Sequence, residues 1–181
     1  AGKREKRRSY RALHREGRQL LEGTHQKEIA LNYLPIALAL AGAPVLIIGG
    51  SDEGVRKAQR LARLTTDVTF IAPHIPDSVR SLDFRLKEKD FETDDLDGVK
   101  VLFICTDDER RNHDIYRMAH ERGILACVCD DKPYCDFISP AIVRQDNITI
   151  AVGSDGLDVR RSIRIRNRIK VLIESGLLDM S

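Results

Sequence analysis

The stretch Val45–Lys57, which reads VLIIGGSDEGVRK, guides the interpretation of the whole chain. Val45–Ile48 is a continuous branched apolar run, as expected for a strand buried on both faces of a parallel sheet. A glycine-containing turn follows, and Gly54–Leu64 then carries apolar residues at helical spacing. The stretch therefore predicts a buried strand, a tight turn and an amphipathic helix.

Short apolar runs and helical patterns continue to alternate downstream. A helix is predicted over Asn112–Arg122, and Asp90–Asp97 is predicted to be an acidic loop or short helix. This alternation predicts an α/β fold, a Rossmann-like parallel sheet with right-handed crossovers. The further strands are expected at Val68–Ala72, Phe84–Lys87, Val101–Cys105, Leu125–Cys129 and Ile148–Val152.

Length and charge suggest three parts. The chain has 181 residues, 42% of them hydrophobic, and a net charge of +2, which suits one main core. Residues 1–30 carry a surplus of lysine and arginine, and we expect a basic, partly helical N-terminal extension there. Residues 31–145 are expected to form the Rossmann-like domain, and residues 146–181 a strand plus an arginine-rich helix.

Several classes of protein fit the sequence poorly. The longest apolar stretch, Tyr33–Gly50, is interrupted by prolines and glycine, so no membrane span is predicted. Nucleic-acid binding is not expected, because the basic N-terminal segment has no interleaved aromatic residues. The four cysteines lie in or beside apolar runs, which indicates reduced thiols in a cytoplasmic protein. They match no zinc spacing, and no metal ligand set is predicted: Cys105, Cys127, Cys129 and Cys135.

The turn after the first strand only partly matches a dinucleotide fingerprint. Gly49 and Gly54 occupy the first and third glycine positions, but Ser51 stands where the second glycine would let pyrophosphate approach the backbone. Asp52 and Glu53 would repel an anion at the helix start. From the spacing alone, an ordinary strand-to-helix turn and a nucleotide site are equally good interpretations.

Ligands of such sheets bind at the carboxyl ends of the strands, so the loops there are the candidate site. The segment Thr106–Asp108 follows one strand and also has the composition of a helix cap. Asp130 and Asp131 follow another strand and are typical of a turn. Position alone favours a turn for Asp130 and Asp131 and leaves both alternatives open for Thr106–Asp108.

Several loops together resemble one family. They are NYLPI at 32–36, the turn with Arg56 and Lys57 behind it, Thr106–Asp108, and above all CDDKPYCDFISPAIV at 129–143. These segments are similar, in order, to the precorrin-2 dehydrogenase family, the NAD-dependent domain of siroheme synthases. The similarity runs from about residue 31 to about residue 170.

The resemblance implies a Rossmann domain followed by a small dimerisation region. It implies oxidation of precorrin-2 to sirohydrochlorin with NAD, and in some members insertion of ferrous iron as well. Asp130 aligns with the aspartate implicated in both activities, and a carboxylate at a strand end is suited to accept a proton. The partners implied are a tetrapyrrole substrate and a second copy of the chain.

The resemblance also assigns residues to the cofactor and the substrate. Arginines near the cleft would bind the many carboxylates of the tetrapyrrole, although most arginines of residues 160–170 fit a solvated helix face. The substrate candidates are Ser154, Arg160 and Arg161. The cofactor candidates are Gly49, Gly50, Ser51, Asp52, Glu53, Ala72, Pro73, Thr106 and Asp107.

Two loops depart from the family pattern. One is the turn with Ser51, Asp52 and Glu53; the other is Gly153–Val159, where Asp155 replaces a glycine and Asp158-Val159 replaces serine-proline. The alternative function is therefore a catalytically altered or cofactor-free relative that binds a tetrapyrrole or a partner protein. The second strand is followed by Ala72-Pro73-His74, without a carboxylate that could bind a ribose hydroxyl. The sequence therefore does not distinguish a preference for NAD from one for NADP.

Overall fold

Five parallel strands form the central sheet. The computed structural model describes residues 33–180, and the expected N-terminal extension lies outside the described residues. The strands pair in the order β3-β2-β1-β4-β5, as in a Rossmann domain, which confirms the predicted fold class. Their bounds are β1 Val45–Ile48, β2 Val68–Ala72, β3 Arg85–Glu88, β4 Val101–Ile104 and β5 Leu125–Val128.

The central strand β1 is buried on both faces. Val45 and Ile47 belong to one apolar cluster, and Leu46 and Ile48 belong to the other. Successive side chains of a strand point to opposite faces, so a run without polar residues requires cover on both sides. The cover comes from α1 Asp52–Leu61, the short α2 Asp77–Arg80, α3 Glu109–Glu121 and the 3₁₀ turns Thr93–Leu96 and Lys132–Tyr134.

Two helices begin earlier than the apolar pattern indicates. Helix α1 starts at Asp52 because the Ser51 side chain accepts a hydrogen bond from the Gly54 N–H. Helix α3 starts at Glu109 because the Asp108 carboxylate accepts one from the Arg111 N–H. Capping side chains fix these starts, and apolar periodicity becomes visible only further along each helix.

The last strand differs from its prediction. β7 Ile148–Val152 does not join the parallel sheet; it pairs antiparallel with β6 Ala141–Gln145, a strand missed in the sequence. Helix α4, Val159–Glu174, contacts this hairpin. β6 and β7 are joined by a tight turn in which Asp146 has a left-handed φ of 50°.

None of the helices in residues 33–180 has the length and apolar character needed to span a bilayer.

Candidate functional site

A cleft of about 430 Å³ lies at the carboxyl edge of the sheet. Its walls come from the segments that follow β1, β2, β3 and β4. It includes the gap between β1 and β4, where the strand order reverses and where open α/β sheets bind ligands. Within the described residues, seven of the nine cofactor candidates line it: Gly49, Gly50, Ser51, Ala72, Pro73, Thr106 and Asp107.

The β1–α1 turn is too tight for a side chain at any of its three glycines, and at Gly50 an added Cβ would lie 2.8 Å from the His74 carbonyl oxygen. A Cβ on Gly49 would lie 2.3 Å from the Cys105 carbonyl oxygen, and one on Gly54 would lie 2.3 Å from the Gly49 carbonyl oxygen. Gly49 also has a φ of 105°, which few other residues adopt. The first and third fingerprint glycines are thus required by backbone contacts in this turn.

Ser51, at the second fingerprint position, is used inside the protein. Its hydroxyl donates to the Cys105 carbonyl at 2.8 Å and accepts from the Gly54 N–H at 3.4 Å. The side chain therefore joins the turn to the end of β4 and caps α1. These bonds explain a serine at this position, and Ser51 is one of the residues that line the cleft.

The two acids of the turn are not among the described residues that line the cleft. Glu53 pairs with Arg56 at 2.8 Å and with Lys57 at 3.6 Å. The hydrogen bond that Arg56 donates to the Glu53 carboxylate is the main cause of the raised pKa of Arg56. The two cations offset the charge of Glu53, so the repulsion of an anion expected from the sequence is reduced, and Asp52 contributes the remaining negative charge.

The β4–α3 segment serves as both a cleft wall and a helix cap. Asp108 caps α3, and the Asn112 side-chain amide donates to the Thr106 carbonyl at 2.9 Å. Thr106, Asp107 and Asp108 all line the cleft. The segment is therefore a helix cap that also lies on the cleft wall.

Asp130 has an unusual backbone. It lies two residues beyond β5 with a φ of 66°, inside a turn closed by the Asp131 N–H donating to the Val128 carbonyl at 3.2 Å. Left-handed φ is uncommon outside glycine but tolerated by aspartate, and such strain concentrates at functional sites. Asp130 is not among the described residues lining the cleft, but its charge contributes to the raised pKa of Arg56 in α1.

The loop after β5 is held by Asp136. Its carboxylate accepts from the Tyr116 hydroxyl at 2.7 Å and from the Ala126 N–H at 2.9 Å. The hydrogen bond to this carboxylate, followed by burial, raises the pKa of Tyr116 to about 12. Asp136 thus fixes the segment that starts at Asp130 against α3 and β5.

The loop Gly153–Asp158 meets the β5 loop. A Cβ on Gly156 would touch the Lys132 side chain at 3.4 Å, and the Lys132 ammonium lies 5.7 Å from the ring centre of Tyr33. Burial, followed by the charges of Cys135 and Asp155, raises the pKa of Tyr33. Tyr33 and two candidate loops therefore converge.

The substrate candidates surround the start of α4. Ser154 accepts from the Asp158 N–H at 3.0 Å, and Asp158 accepts from the Arg161 N–H at 2.7 Å. Arg160 and Arg161 lie exposed in the first turn of α4. Asp158 caps α4, and Asp155 has a left-handed φ of 55°, which aspartate tolerates, so both residues suit the local backbone.

Five cleft residues that have polar or aromatic side chains and lie outside the segment Thr106–Asp108 were not site candidates in the sequence. They share a position at strand ends or in the first turn of α3, and two of them pair across the cleft, with Arg111 donating to the Asp90 carboxylate at 3.2 Å. The signal for part of this set was present, because β3 was predicted as a parallel strand whose carboxyl end must share this edge. The five are His74, Lys89, Asp90, Phe91 and Arg111.

The four cysteines gather at one apolar cluster, which contains Cys105 and Cys127 and against which Cys129 and Cys135 pack. The sulfurs of Cys127 and Cys135 are 3.2 Å apart. A hydrogen bond with Cys129, followed by burial, raises the pKa of the Cys105 thiol. A hydrogen bond with Cys135, followed by burial, raises the pKa of the Cys127 thiol. The thiols pack on one side of the sheet, as expected from their alternation along β5.

Comparisons with known proteins agree with this geometry. A protein family described as "Putative NAD(P)-binding" matches residues 36–141. The chain is 30% identical over 155 residues to a siroheme synthase of Photorhabdus laumondii and 34% identical over 150 residues to one of Psychrobacter. These alignments cover 83% and 81% of the chain but 33% and 31% of the relatives, so the chain spans about a third of their length.

One solved structure has the same fold. It is "SirC, precorrin-2 dehydrogenase", with a TM-score of 0.67, 17% identity, and coverage of 77% of this chain and 70% of the other. At that identity the likeness shows the fold alone. Together with the sequence matches, it confirms the resemblance noted from the loops.

Proposed function

The chain belongs to the NAD(P)-binding family that its residues 36–141 match, and from this premise we propose that it is a precorrin-2 dehydrogenase. The reaction would oxidise precorrin-2 to sirohydrochlorin, as the name of the similar solved structure and those of the siroheme synthases suggest. The observation that carries the proposal is the cleft at the reversal of strand order, with Asp130 at the end of the next strand over.

The residues present fit a dinucleotide. Gly50, Ser51 and the first residues of α1 are proposed to offer backbone N–H groups to a pyrophosphate, since the Gly49 N–H already donates to the Ile71 carbonyl. The segments after β2 and β3 are proposed to bind the adenosine half of the dinucleotide, and those after β4 and β5 the nicotinamide half. When bound, NAD(P) supplies the acceptor for a hydride from the substrate. We propose NAD as the form used.

Asp130 is proposed to accept the proton that the tetrapyrrole loses when the hydride leaves. A carboxylate held in a fixed turn can serve as such a base without moving its backbone. Ser154, Arg160 and Arg161 are proposed to bind the substrate, because the exposed guanidinium groups suit its carboxylates. Iron insertion at Asp130 is a further proposed activity, with ferrous iron as substrate.

A homodimer and a cytoplasmic location are also proposed. Exposed apolar side chains gather on the hairpin and α4, which suits burial against a second copy. Four cysteines present as thiols favour a reducing compartment. The exposed apolar residues are Ile142, Ile148, Val159, Ile165, Val171 and Leu172.

Replacing Asp130 by asparagine tests its catalytic role. Asparagine tolerates left-handed φ, so Asp130→Asn removes the charge without adding backbone strain. We expect sirohydrochlorin formation to fall by about 10²–10⁴-fold, the contribution typical of a general base, with NAD affinity and melting temperature unchanged. The control is Asp146→Asn, a left-handed aspartate of the β6–β7 turn. Unchanged turnover in Asp130→Asn would remove this residue from the mechanism.

A cofactor-free relative remains the second candidate, favoured by Ser51 in the cleft wall. Calorimetric titration with NAD separates the two, with Ser51→Gly as the matched variant that restores the fingerprint glycine. We expect the wild type to bind and Ser51→Gly to bind more tightly, because a glycine at this position lets the pyrophosphate approach the backbone. The variant should fold, because glycine at a helix cap costs only a few tenths of a kcal/mol. Binding by the variant alone would favour the cofactor-free relative, and binding by neither would contradict the dehydrogenase.

A further inference from the structure

A second cluster of polar side chains lies beside the β5 loop and outside the cleft. It comprises Glu109 and His113, one turn apart on α3, and Asp131, directly after Asp130. One ligand atom from each of the three lies within 4.8 Å of the others. His113 Nε2 is 2.6 Å from Asp131 Oδ2.

The arrangement leaves excess negative charge in the cluster. Two carboxylates face one imidazole, and a protonated histidine would compensate only one of them. Within residues 33–180, neither Glu109 nor Asp131 forms a salt bridge with lysine or arginine. Two of the three arginines of α3 pair elsewhere, Arg111 with Asp90 and Arg117 with Asp114.

The imidazole is held in place for coordination. The His113 ring stacks on Tyr134, with ring centres 3.7 Å apart and planes inclined by 12°. Tyr134 lies in the 3₁₀ turn that follows Asp131, so the same loop carries the carboxylate and the ring that orients the histidine. Side chains His113 and Asp131 are 18% and 26% exposed, which leaves the site open to an ion from solvent.

We propose that Glu109, His113 and Asp131 form a binding site for a divalent first-row transition-metal ion. One imidazole and two carboxylates suit such ions, and three protein ligands leave a coordination position open, so the ion would exchange. Bond lengths of about 2.0–2.2 Å place tetrahedral ligands roughly 3.3 Å apart, so side-chain rotations must widen the His113–Asp131 contact and draw Glu109 inward. The bound ion would join α3 to the loop that carries Asp130.

Cobalt(II) titration of the metal-free, reduced full chain tests this site without cofactor or tetrapyrrole. Its result is therefore independent of the proposed dehydrogenase. We expect stoichiometric binding by calorimetry and a visible spectrum of nitrogen and oxygen ligation, without the intense band of thiolate ligation. Ligation by the cysteines would produce that band and would overturn the proposal.

Three variants and one control locate the ion. Each of three substitutions should weaken cobalt binding by at least about tenfold: Glu109→Gln, His113→Gln and Asp131→Asn. Loss of a residue that only orients a metal ligand already lowers metal affinity by about tenfold or more, and loss of a ligand itself should cost at least as much. His120→Gln is the control: His120 lies on the same helix 3.7 Å from Asp136, but no second carboxylate completes a ligand set there among the described residues. Cobalt should raise the melting temperature of the wild type and of this control only.

Equal affinity in the wild type and the Glu109→Gln variant would contradict the proposal. Glu109 is exposed at the start of α3, so this variant keeps the fold even if His113→Gln does not. Absence of cobalt binding to the wild type would overturn it outright.

Discussion

At the scale of single residues, the site depends on positions where close backbone contacts or a left-handed φ restrict the residue type. Gly54 packs against the Gly49 carbonyl, and Ser51 fills the space between the turn and β4 with a hydroxyl that is bonded on both sides. Asp130 takes a left-handed conformation directly beyond a buried strand. These local constraints position the turn and the carboxylate before any ligand arrives.

Replacing Gly54 by alanine should destabilise the protein, although alanine is the better helix former. The new Cβ would lie 2.3 Å from the Gly49 carbonyl oxygen, and both elements would have to separate. We expect a loss of about 1–3 kcal/mol in the free energy of unfolding, measured with urea. Gly153→Ala is the control, because nothing lies within 4 Å of its Cβ position. Equal stability of the two variants would show that the turn can relax.

At the scale of elements, charged side chains join β3 to the 3₁₀ turn behind it. Asp95 is almost fully buried, with 4% of its side chain exposed, and accepts from Lys87 and Lys89, each at 2.8 Å. It also accepts from the Glu92 N–H at 3.0 Å. Because Lys89 lines the cleft, this network positions one wall of the site.

The Asp95 network should make stability depend on pH in acid. Burial alone would raise the pKa of Asp95, but hydrogen bonds from Lys87, Lys89 and Glu92 outweigh it and lower the pKa from 3.8 to about 2. A lowered folded-state pKa contributes stability above the unfolded value, and this stability is lost as the pH falls through the folded value. The shift corresponds to about 2 kcal/mol, lost between about pH 4 and pH 2.

Asp95→Asn should therefore be less stable than the wild type at neutral pH and should show a flatter stability profile below pH 4. Urea unfolding across this range measures both effects. Asp94→Asn, at the exposed neighbour in the same turn, should follow the wild type. Parallel curves for the wild type and Asp95→Asn would contradict the assignment.

At the scale of the whole molecule, the chain combines a covered sheet and an uncovered hairpin. The Rossmann sheet has helices or turns against both faces, whereas β6, β7 and α4 leave apolar side chains exposed. A patch of this kind is typical of an interface between chains. The hairpin and α4 also carry Ser154, Arg160 and Arg161, so assembly and substrate binding would involve the same part of the fold.

Introducing a charge into this patch should split the proposed dimer. Val171 is 61% exposed on α4, and Val171→Glu would place a carboxylate in the interface. We expect sedimentation equilibrium to give a dimer for the wild type and a monomer for the variant. Leu64→Glu is the control, since Leu64 is 47% exposed just beyond α1, away from the hairpin. A monomeric wild type, or a variant that stays dimeric, would exclude this interface.

The sequence by itself determined the parallel sheet, the order of its elements and the cleft-forming turns. Val45–Ile48 could only be buried on both faces, and a repeated strand and helix pattern brings the ends of parallel strands to one edge. Periodicity missed β6 and assigned β7 to the wrong sheet, because antiparallel pairing depends on a turn and not on apolar content.

Only the tertiary structure decided which side chains meet. It showed that Glu53 is neutralised by Arg56 and Lys57, and that Lys89, Asp90 and Phe91 form a wall of the cleft. It also brought His113 to Asp131, 18 positions apart in the chain. Contacts of this kind depend on how a helix packs across a strand end, and no spacing within one segment encodes that packing.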